Sequence, residues 1–381
     1  MKISDLATPA LLLERGRLDA NLANMSARAT GLGVALRPHM KTTKSADIAR
    51  LATAGQNGGI TVSTLKEAAY FIANGFTDIT YAVGISVGKL DQVAALRQDG
   101  ARLTVLTDNA EVARGIAAHA EATGARFDVL IEIDTGDHRA GVAPDSRALM
   151  DIAEILDQAA GVDLRGVLTH AGHSYDCRSV AEIQTVAEAE RAGAVLAAER
   201  LRAAGMACPV VSVGSTPTAV YARDLSGVTE MRPGVYMFND VFQASIAACT
   251  LADIAVSVLA TVTGHHPERG EILIDAGGLA LSKDRSTAVG PRDVGYGLVA
   301  GLAVGLDGAE LPELHVVRVS QEHGVVATAP GAGALPFAAL PPGSRLRVLP
   351  NHACMTAAAY DCYHVVEGDE VIATWPRVNG W

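Results

Sequence analysis

Over the first 240 residues, short continuous apolar runs alternate with amphipathic stretches. The runs are PALLLE (9–14), VALRPHM (34–40), GGITVST (58–64), DITYAV (78–83), RLTVLTD (102–108), FDVLIEIDT (127–135), LRGVLTH (164–170) and PVVSVGS (209–215). Helical patterns separate them, for example around Leu18, Leu22 and Met25, and over 179–205, where Gly205 is expected to close the helix. Runs that are continuous rather than alternating predict parallel strands buried on both faces. About 240 residues is the usual size of a (β/α)8 barrel, although a doubly wound sheet carries the same local signature. From about residue 250 the pattern changes to strands joined by Gly/Pro turns, with no long helix between them. The expectation is an α/β protein with two domains, a TIM-like barrel over 1–245 and a mostly antiparallel β domain over 246–381.

Composition narrows the function classes. Of 381 residues, 49% are apolar and 19% charged, which excludes a disordered chain. The formal charge is −11, from 31 basic and 42 acidic side chains, and no Lys/Arg-rich run occurs. Nucleic acid and anionic membrane are therefore not expected as partners. No apolar stretch approaches the ~18 residues of a membrane span, and MKISDLATPA lacks the features of a signal peptide. Five cysteines without a CxxC pair are expected as reduced thiols in a cytoplasmic protein.

In a parallel barrel, polar residues at the C-terminal strand ends are the catalytic candidates. Several runs end that way: in His39 and Lys41; in Asp134, Asp137, His138 and Arg139; in His170, His173 and Tyr175; and in a Gly-Ser-Thr turn at 214–216. For one isolated lysine, a salt bridge or helix cap is the plainer reading, but four such ends point to a shared pocket. Lys41 follows an apolar strand and is expected to be partly desolvated, which lowers a lysine pKa and frees the amine for Schiff-base chemistry. Lys44 is its equal on chemistry alone. The turns GSTPT (214–218) and RPGVYMFND (232–240) suit a phosphate, because glycine permits backbone N–H nests there.

Near the C-terminus, VLPNHACMTAAAYD places His352 and Cys354 two residues apart. On a strand that spacing puts both side chains on one face. An imidazole and a thiolate suit Zn²⁺, and two protein ligands leave room for water and substrate, as in a catalytic site.

Taken together, RPHMKTTKS, IEIDTGDHRAGV, GVLTHAGHSY, VVSVGSTPTA, MRPGVYMFND, SQEHGV and PNHACMTA occur in an order that resembles the fold-type III pyridoxal 5'-phosphate enzymes of the D-serine dehydratase and D-threonine aldolase group. The resemblance runs from about residue 7 to 381. It implies an alanine racemase-like barrel followed by a β domain, and a homodimer whose site is completed by the neighbouring β domain. It makes Lys41, rather than Lys44, the Schiff-base residue. Arg139 would lie by the cofactor, Tyr175 would face its ring, and Gly214, Ser215, Thr216, Gly234, Val235 and Tyr236 would form the phosphate loops. His352 and Cys354 match the metal pair. Aldolases of the group typically present His-x-Asp there, whereas this chain has His-x-Cys like the dehydratases, and thiolate favours Zn²⁺ over harder ions.

The implied activity is zinc-assisted β-elimination from a D-3-hydroxy amino acid, such as D-threo-3-hydroxyaspartate or D-serine, to a 2-oxo acid and ammonia. The alternative in the same pocket is retro-aldol cleavage to glycine and an aldehyde. A racemase would need a second base, for which Tyr296 and Tyr363 are candidates. A non-catalytic pyridoxal-phosphate-binding protein lacks the second domain, and a zinc hydrolase built on His170 and His173 would have its pair on opposite strand faces. A substrate β-carboxylate needs a further cation, for which Lys66, His138, His173 and Lys283 are candidates. His119 is expected to be solvated, and His323 to lie near the metal pair. The overall −11 opposes binding of an anionic cofactor, so attraction must be local.

Overall fold

The structure, a computed structural model, describes residues 1–56, 58–98, 100–301, 310–329 and 331–381. The chain divides into two compact units, Asn24–Gly234 with Gly380–Trp381, and Met1–Ala23 with Val235–Asn379. The first strand, β1 (Ala10–Glu14), belongs to the second of these. Helix α1 (Arg15–Gly31) follows it.

The barrel unit carries β2 (Ala35–Leu36), β3 (Ile60–Val62), β4 (Asp78–Gly84), β5 (Arg102–Thr107), β6 (Phe127–Ile133), β7 (Val162–Thr169), β8 (Val210–Val213) and β9 (Glu230–Met231). Its helices are α2 (Ala46–Thr53), α3 (Leu65–Ala73), α4 (Leu90–Leu96), α5 (Ala110–Thr123), α6 (Arg147–Gln158), α7 (Val180–Ala203) and α8 (Thr216–Tyr221). The strands pair in parallel in the order β2-β9-β8-β7-β6-β5-β4-β3. The two edges then meet, with Thr61 N–H donating to Pro38 O (2.9 Å) and Met40 N–H to Thr61 O (2.8 Å). The sheet thus closes into the expected α/β barrel. All seven residues of β6 are buried, as a strand covered on both faces requires. Ser179 and Glu182 start α7 with a capping box, and Gly205, at φ +82°, follows its end in the left-handed conformation expected of it.

One strand of the expected eight is in a different place. PALLLE is not a barrel strand: β1 pairs antiparallel with Val256–His266 and parallel with Cys362–Glu367 in the other unit. The two-residue β9 takes the eighth barrel position. A fully buried apolar run fits either sheet, so its hydrophobicity carries no address, and β9 is too short to leave a periodic signal.

The second unit contains β10 (Val256–His266), β11 (Glu271–Ile274), β12 (Leu298–Gly301), β13 (Glu310–Val319), β14 (Gly324–Thr328), β15 (Arg345–Leu349), β16 (Cys362–Glu367) and β17 (Glu370–Pro376). Strands β10, β11, β14, β13, β12 and β15 close an antiparallel six-stranded barrel, and β1, β16 and β17 extend its sheet from β10. Its helices are short: α9 (Val241–Ser245), α10 (Gly278–Leu281) and α11 (Ala353–Ala357). Val241, Ile254, Val294, Leu298, Ala300 and Leu349 form one buried cluster of this unit. No helix among the described residues is long and apolar enough to cross a membrane.

Candidate active site

The C-terminal ends of the parallel strands converge on a cavity of about 320 Å³ in the barrel unit. Lys41 and His39 enter it after β2, Ser63 after β3, Gly84 from β4, Glu132 and Arg139 from and after β6, His170 after β7, Gly214 after β8 and Arg232 after β9. Leu168 lines it too and packs with Leu106 and Leu130 in the buried interior. Adjacent strand ends bring together residues up to 193 positions apart, and this makes the site.

Lys41 lies in the Met40–Thr43 turn, whose other three residues are fully buried. Those residues anchor the turn, and Lys41 is exposed to the cavity rather than desolvated as expected. Lys44 is committed elsewhere. Its ammonium lies 2.5 Å from Glu67 Oε1, and the Glu67 carboxylate also accepts from the Ser63 N–H at 3.0 Å. Glu67 is only 1% exposed, so Lys44 neutralises a buried charge. The structure therefore separates two lysines that are chemically equal in the sequence.

Both histidines of the cavity are neutral. His39 Nε2 lies 2.9 Å from Ser63 Oγ, and burial, then the charges of Lys41 and Arg232, push its pKa well below the ordinary value. His170 is lowered to about 3, by burial first and then by Lys41. Its Nδ1–H donates to Gly214 O at 3.0 Å, which leaves Nε2 with a lone pair. Three cations, Lys41, Arg139 and Arg232, outnumber the single carboxyl of Glu132 around the cavity. Burial raises the Glu132 pKa, and Arg139 stands 3.9 Å away. The cavity lining is thus locally positive in a chain whose net charge is −11.

Arg232 and Glu190 are site residues that the sequence reading missed. Arg232 is buried, and its guanidinium donates to Ser212 Oγ at 2.6 Å and to Thr169 O at 2.6 Å. Its Nε–H is buried without a hydrogen-bond partner among the described residues. Arg232 opens the motif RPGVYMFND, two residues before Gly234, and that position is its signal in the sequence. Glu190, on α7, is buried and accepts from Ala171 N–H (3.0 Å) and Gly214 N–H (2.9 Å), which ties the ends of β7 and β8 together. Its setting in an Ala/Glu-rich helix gave no signal.

At the expected phosphate turn, Gly214 has φ +127°, and a Cβ there would stand 2.7 Å from Arg232 N. Its N–H is already engaged by Glu190, and that of Ser215 by Thr218 Oγ1 at 3.1 Å. Ser215 caps α8, and Thr216 begins it. Gly234 approaches the chain before Lys41 so closely that a Cβ would lie 2.8 Å from His39 O. Val235 and Tyr236 start the buried turn Val235–Met237. Tyr175 sits in the turn Gly172–Asp176, its ring 6.5 Å from that of His170 and tilted by 44°. Of the expected cofactor residues, Lys41, Arg139 and Gly214 line the cavity; Tyr175, Ser215, Thr216 and Gly234 do not themselves line it. Neither do Lys66, His138 or His173.

In the β unit, His352 and Cys354 are not on a strand. His352 is the extended N-cap of α11, and Cys354 is the second residue of that helix. Their side chains nevertheless interact, Cys354 being a hydrogen-bond partner that raises the His352 pKa. His352 Nδ1 donates to Asp284 Oδ2 at 2.9 Å. Burial lowers the His352 pKa, but the bonds to Asp284 and Cys354 outweigh it and raise the value to about 11. The opposite effect holds Asp284 at about 2, against its own partial burial. No group of three or more His, Cys, Asp or Glu residues suited to a metal occurs among the described residues, so the pair stands as two potential ligands.

Burial pushes up the thiols of Cys177, Cys208, Cys249 and Cys362, Cys208 to about 11. Tyr363 is fully buried, stacks edge-on against Phe238 and accepts from Arg377 Nε at 2.7 Å. It is a core residue. The Arg285 guanidinium covers Tyr296 at 5.5 Å from the ring centroid. His119 is not fully solvated: it packs against Phe127 and lies 3.4 Å from Asp91. His323 is exposed before β14.

Two family models match the chain, the alanine racemase N-terminal domain over residues 13–241 and the putative serine dehydratase domain over residues 255–366. The chain is 47% identical over 378 residues to the D-threo-3-hydroxyaspartate dehydratase of Delftia sp. (strain HT23), covering 99% of this chain and 98% of that one. It is 34% identical over 390 residues to the D-serine dehydratase of Dictyostelium discoideum, covering 97% and 96%. Among solved structures, a substituted D-threo-3-hydroxyaspartate dehydratase in a metal-free form superposes with a TM-score of 0.96 at 46% identity, over 100% of both chains.

Proposed function

The chain belongs to the serine dehydratase family of alanine racemase-like, fold-type III pyridoxal-phosphate enzymes, and from that membership we propose that it is a pyridoxal-phosphate- and zinc-dependent lyase. The reaction is β-elimination from a D-3-hydroxy amino acid, with D-threo-3-hydroxyaspartate giving oxaloacetate, or D-serine giving pyruvate, plus ammonia. The observation that carries the proposal is the barrel cavity, where an exposed lysine, two neutral imidazoles and two arginines meet.

The cavity suits the cofactor. Lys41 offers the amine that would hold its carbonyl carbon, and the orphaned Arg232 Nε–H offers a donor for one of its acceptors. Arg139 supplies a second cation, Tyr175 a ring beside His170, and Gly214, Ser215 and Thr216, with Gly234, Val235 and Tyr236, the turns assigned to the phosphate. Bound there, pyridoxal phosphate supplies an electron sink for negative charge at the substrate Cα. Lys41 Nζ is the general base that takes the Cα proton. Neutral His39 and His170 stand beside it in the cavity as uncharged hydrogen-bonding groups.

His352 and Cys354 are assigned as the zinc ligands. Imidazole and thiol form a donor set suited to Zn²⁺, and the two groups are already in contact. Held by these two residues, the ion would supply Lewis acidity toward a hydroxyl leaving group, which is a poor one at neutral pH. The same reading includes a cytoplasmic homodimer with the active site near the subunit interface; five free thiols are consistent with a reducing compartment.

The test is a panel of D- and L-serine, threonine and 3-hydroxyaspartate isomers, assayed for 2-oxo acid with and without EDTA. The expected result is EDTA-sensitive 2-oxo acid from D-3-hydroxy isomers only. Glycine and an aldehyde as the products would instead establish retro-aldol cleavage.

A further inference from the structure

The metal pair is supported from outside its own motif by a carboxylate 68 residues upstream. Asp284 follows a residue in the left-handed region, Ser282 (φ +66°), and its N–H donates to Ser282 Oγ at 3.0 Å. Its Oδ1 accepts the Ser286 N–H at 2.8 Å and is also hydrogen-bonded by the Ser286 hydroxyl. The carboxylate is therefore fixed before it meets His352, and its other oxygen, Oδ2, lies 2.9 Å from His352 Nδ1. An ionised carboxylate only accepts, so the shared hydrogen belongs to Nδ1. A second carboxylate holds the backbone: buried Asp240 accepts the N–H of Ala353, the residue between the two potential ligands, at 2.9 Å.

We propose that Asp284 is a positioning residue for the metal, holding His352 with Nδ1 protonated so that Nε2 presents its lone pair as the ligand atom. A ligating histidine generally needs such a partner for its other ring nitrogen, which fixes tautomer and ring orientation and raises basicity. Asp284 itself stays outside the coordination sphere. The inference rests on the reading of His352 and Cys354 as a zinc pair.

The test uses the full-length protein and Zn²⁺ alone, with affinity measured by competition against a chromophoric chelator. Asp284→Ala is expected to weaken zinc binding by about 10–100-fold. Asp284→Asn, whose amide oxygen still accepts from Nδ1–H, weakens it less, and Ser286→Ala, which loosens the carboxylate, weakens it least. Should Asp284→Ala fail to fold, the other two variants decide by the same ordering. If both Asp284 variants bind zinc within twofold of the parent while His352→Ala loses it, the positioning role is refuted and the zinc pair stands. If His352→Ala also binds zinc normally, the pair itself is wrong and the positioning role falls with it.

Discussion

The two units handle histidine in opposite ways. In the barrel cavity, His170 is half-buried beside Lys41, Arg139 and Arg232, its Nδ1–H faces a carbonyl, and its pKa is lowered to about 3. In the β unit, His352 is only partly buried, and Asp284 and Cys354 raise it to about 11. Burial acts in the same direction on both rings, so the partner decides the charge. The delivery of the groups differs as well. The cavity collects neighbouring strand ends of one sheet, whereas His352 and Cys354, the proposed metal pair, lie at the start of a short helix and His352 bonds to a loop carboxylate far away in sequence.

The sharpest way to break this comparison is at the lysines of the cavity. Lys41→Ala should reduce 2-oxo acid formation by about 10⁴-fold, the upper end of what a positioned base contributes, while the protein remains folded by circular dichroism. Lys44→Met should do the reverse. It leaves Glu67 buried without its cation and should cost about 3–5 kcal/mol in a urea unfolding curve, with turnover per folded molecule little changed. Equal effects of the two substitutions on turnover would undo the distinction.

On the β-unit side, EDTA dialysis or Cys354→Ser should lower turnover by roughly 10²-fold, and Zn²⁺ should restore the dialysed protein but not the variant. Cys208→Ser, at a buried packing thiol, should leave the EDTA sensitivity unaltered.

The neutral state of His170 has a pH signature in cofactor-free protein. Its folded pKa of about 3 lies below the ordinary 6.5, so between these values the unfolded chain binds a proton that the folded one does not. Stability from this group is therefore complete above pH 6.5 and is lost as pH falls, by about 1.4 kcal/mol per pH unit. Denaturation at pH 7.5 and 5.5 should show a smaller loss for His170→Gln than for the parent. Identical losses would mean that His170 is not held neutral. The smallest effect belongs to Tyr363→Phe, which removes the acceptor for Arg377 Nε and should cost about 1–3 kcal/mol without lowering turnover.

Much of the cavity lining was legible in the sequence because the motifs that supply it are local. Strand-end motifs place His39, Lys41, Arg139, His170 and Gly214 directly, since a parallel barrel gathers all its C-terminal strand ends on one face. His352 and Cys354 were legible as a pair, though for a mistaken local reason: the structure puts them on a helix cap rather than a strand. Glu190 and Asp284 were not legible. Each acts through a partner that is distant in sequence, and an acidic residue on a helix or in a loop has no pattern that names its acceptor role.

The apolar pattern by itself determined that buried parallel strands alternate with helices and that an antiparallel β region follows, because periodicity records which faces are hidden from water. It also determined the types of chemistry available at each strand end. Only the tertiary structure decided that PALLLE joins the β unit, that Lys44 is consumed by Glu67, and that one histidine is neutral while another is paired with a carboxylate. These are questions of which groups meet across long stretches of chain. Hydrophobicity is non-directional and cannot specify such meetings; packing and hydrogen-bond geometry can.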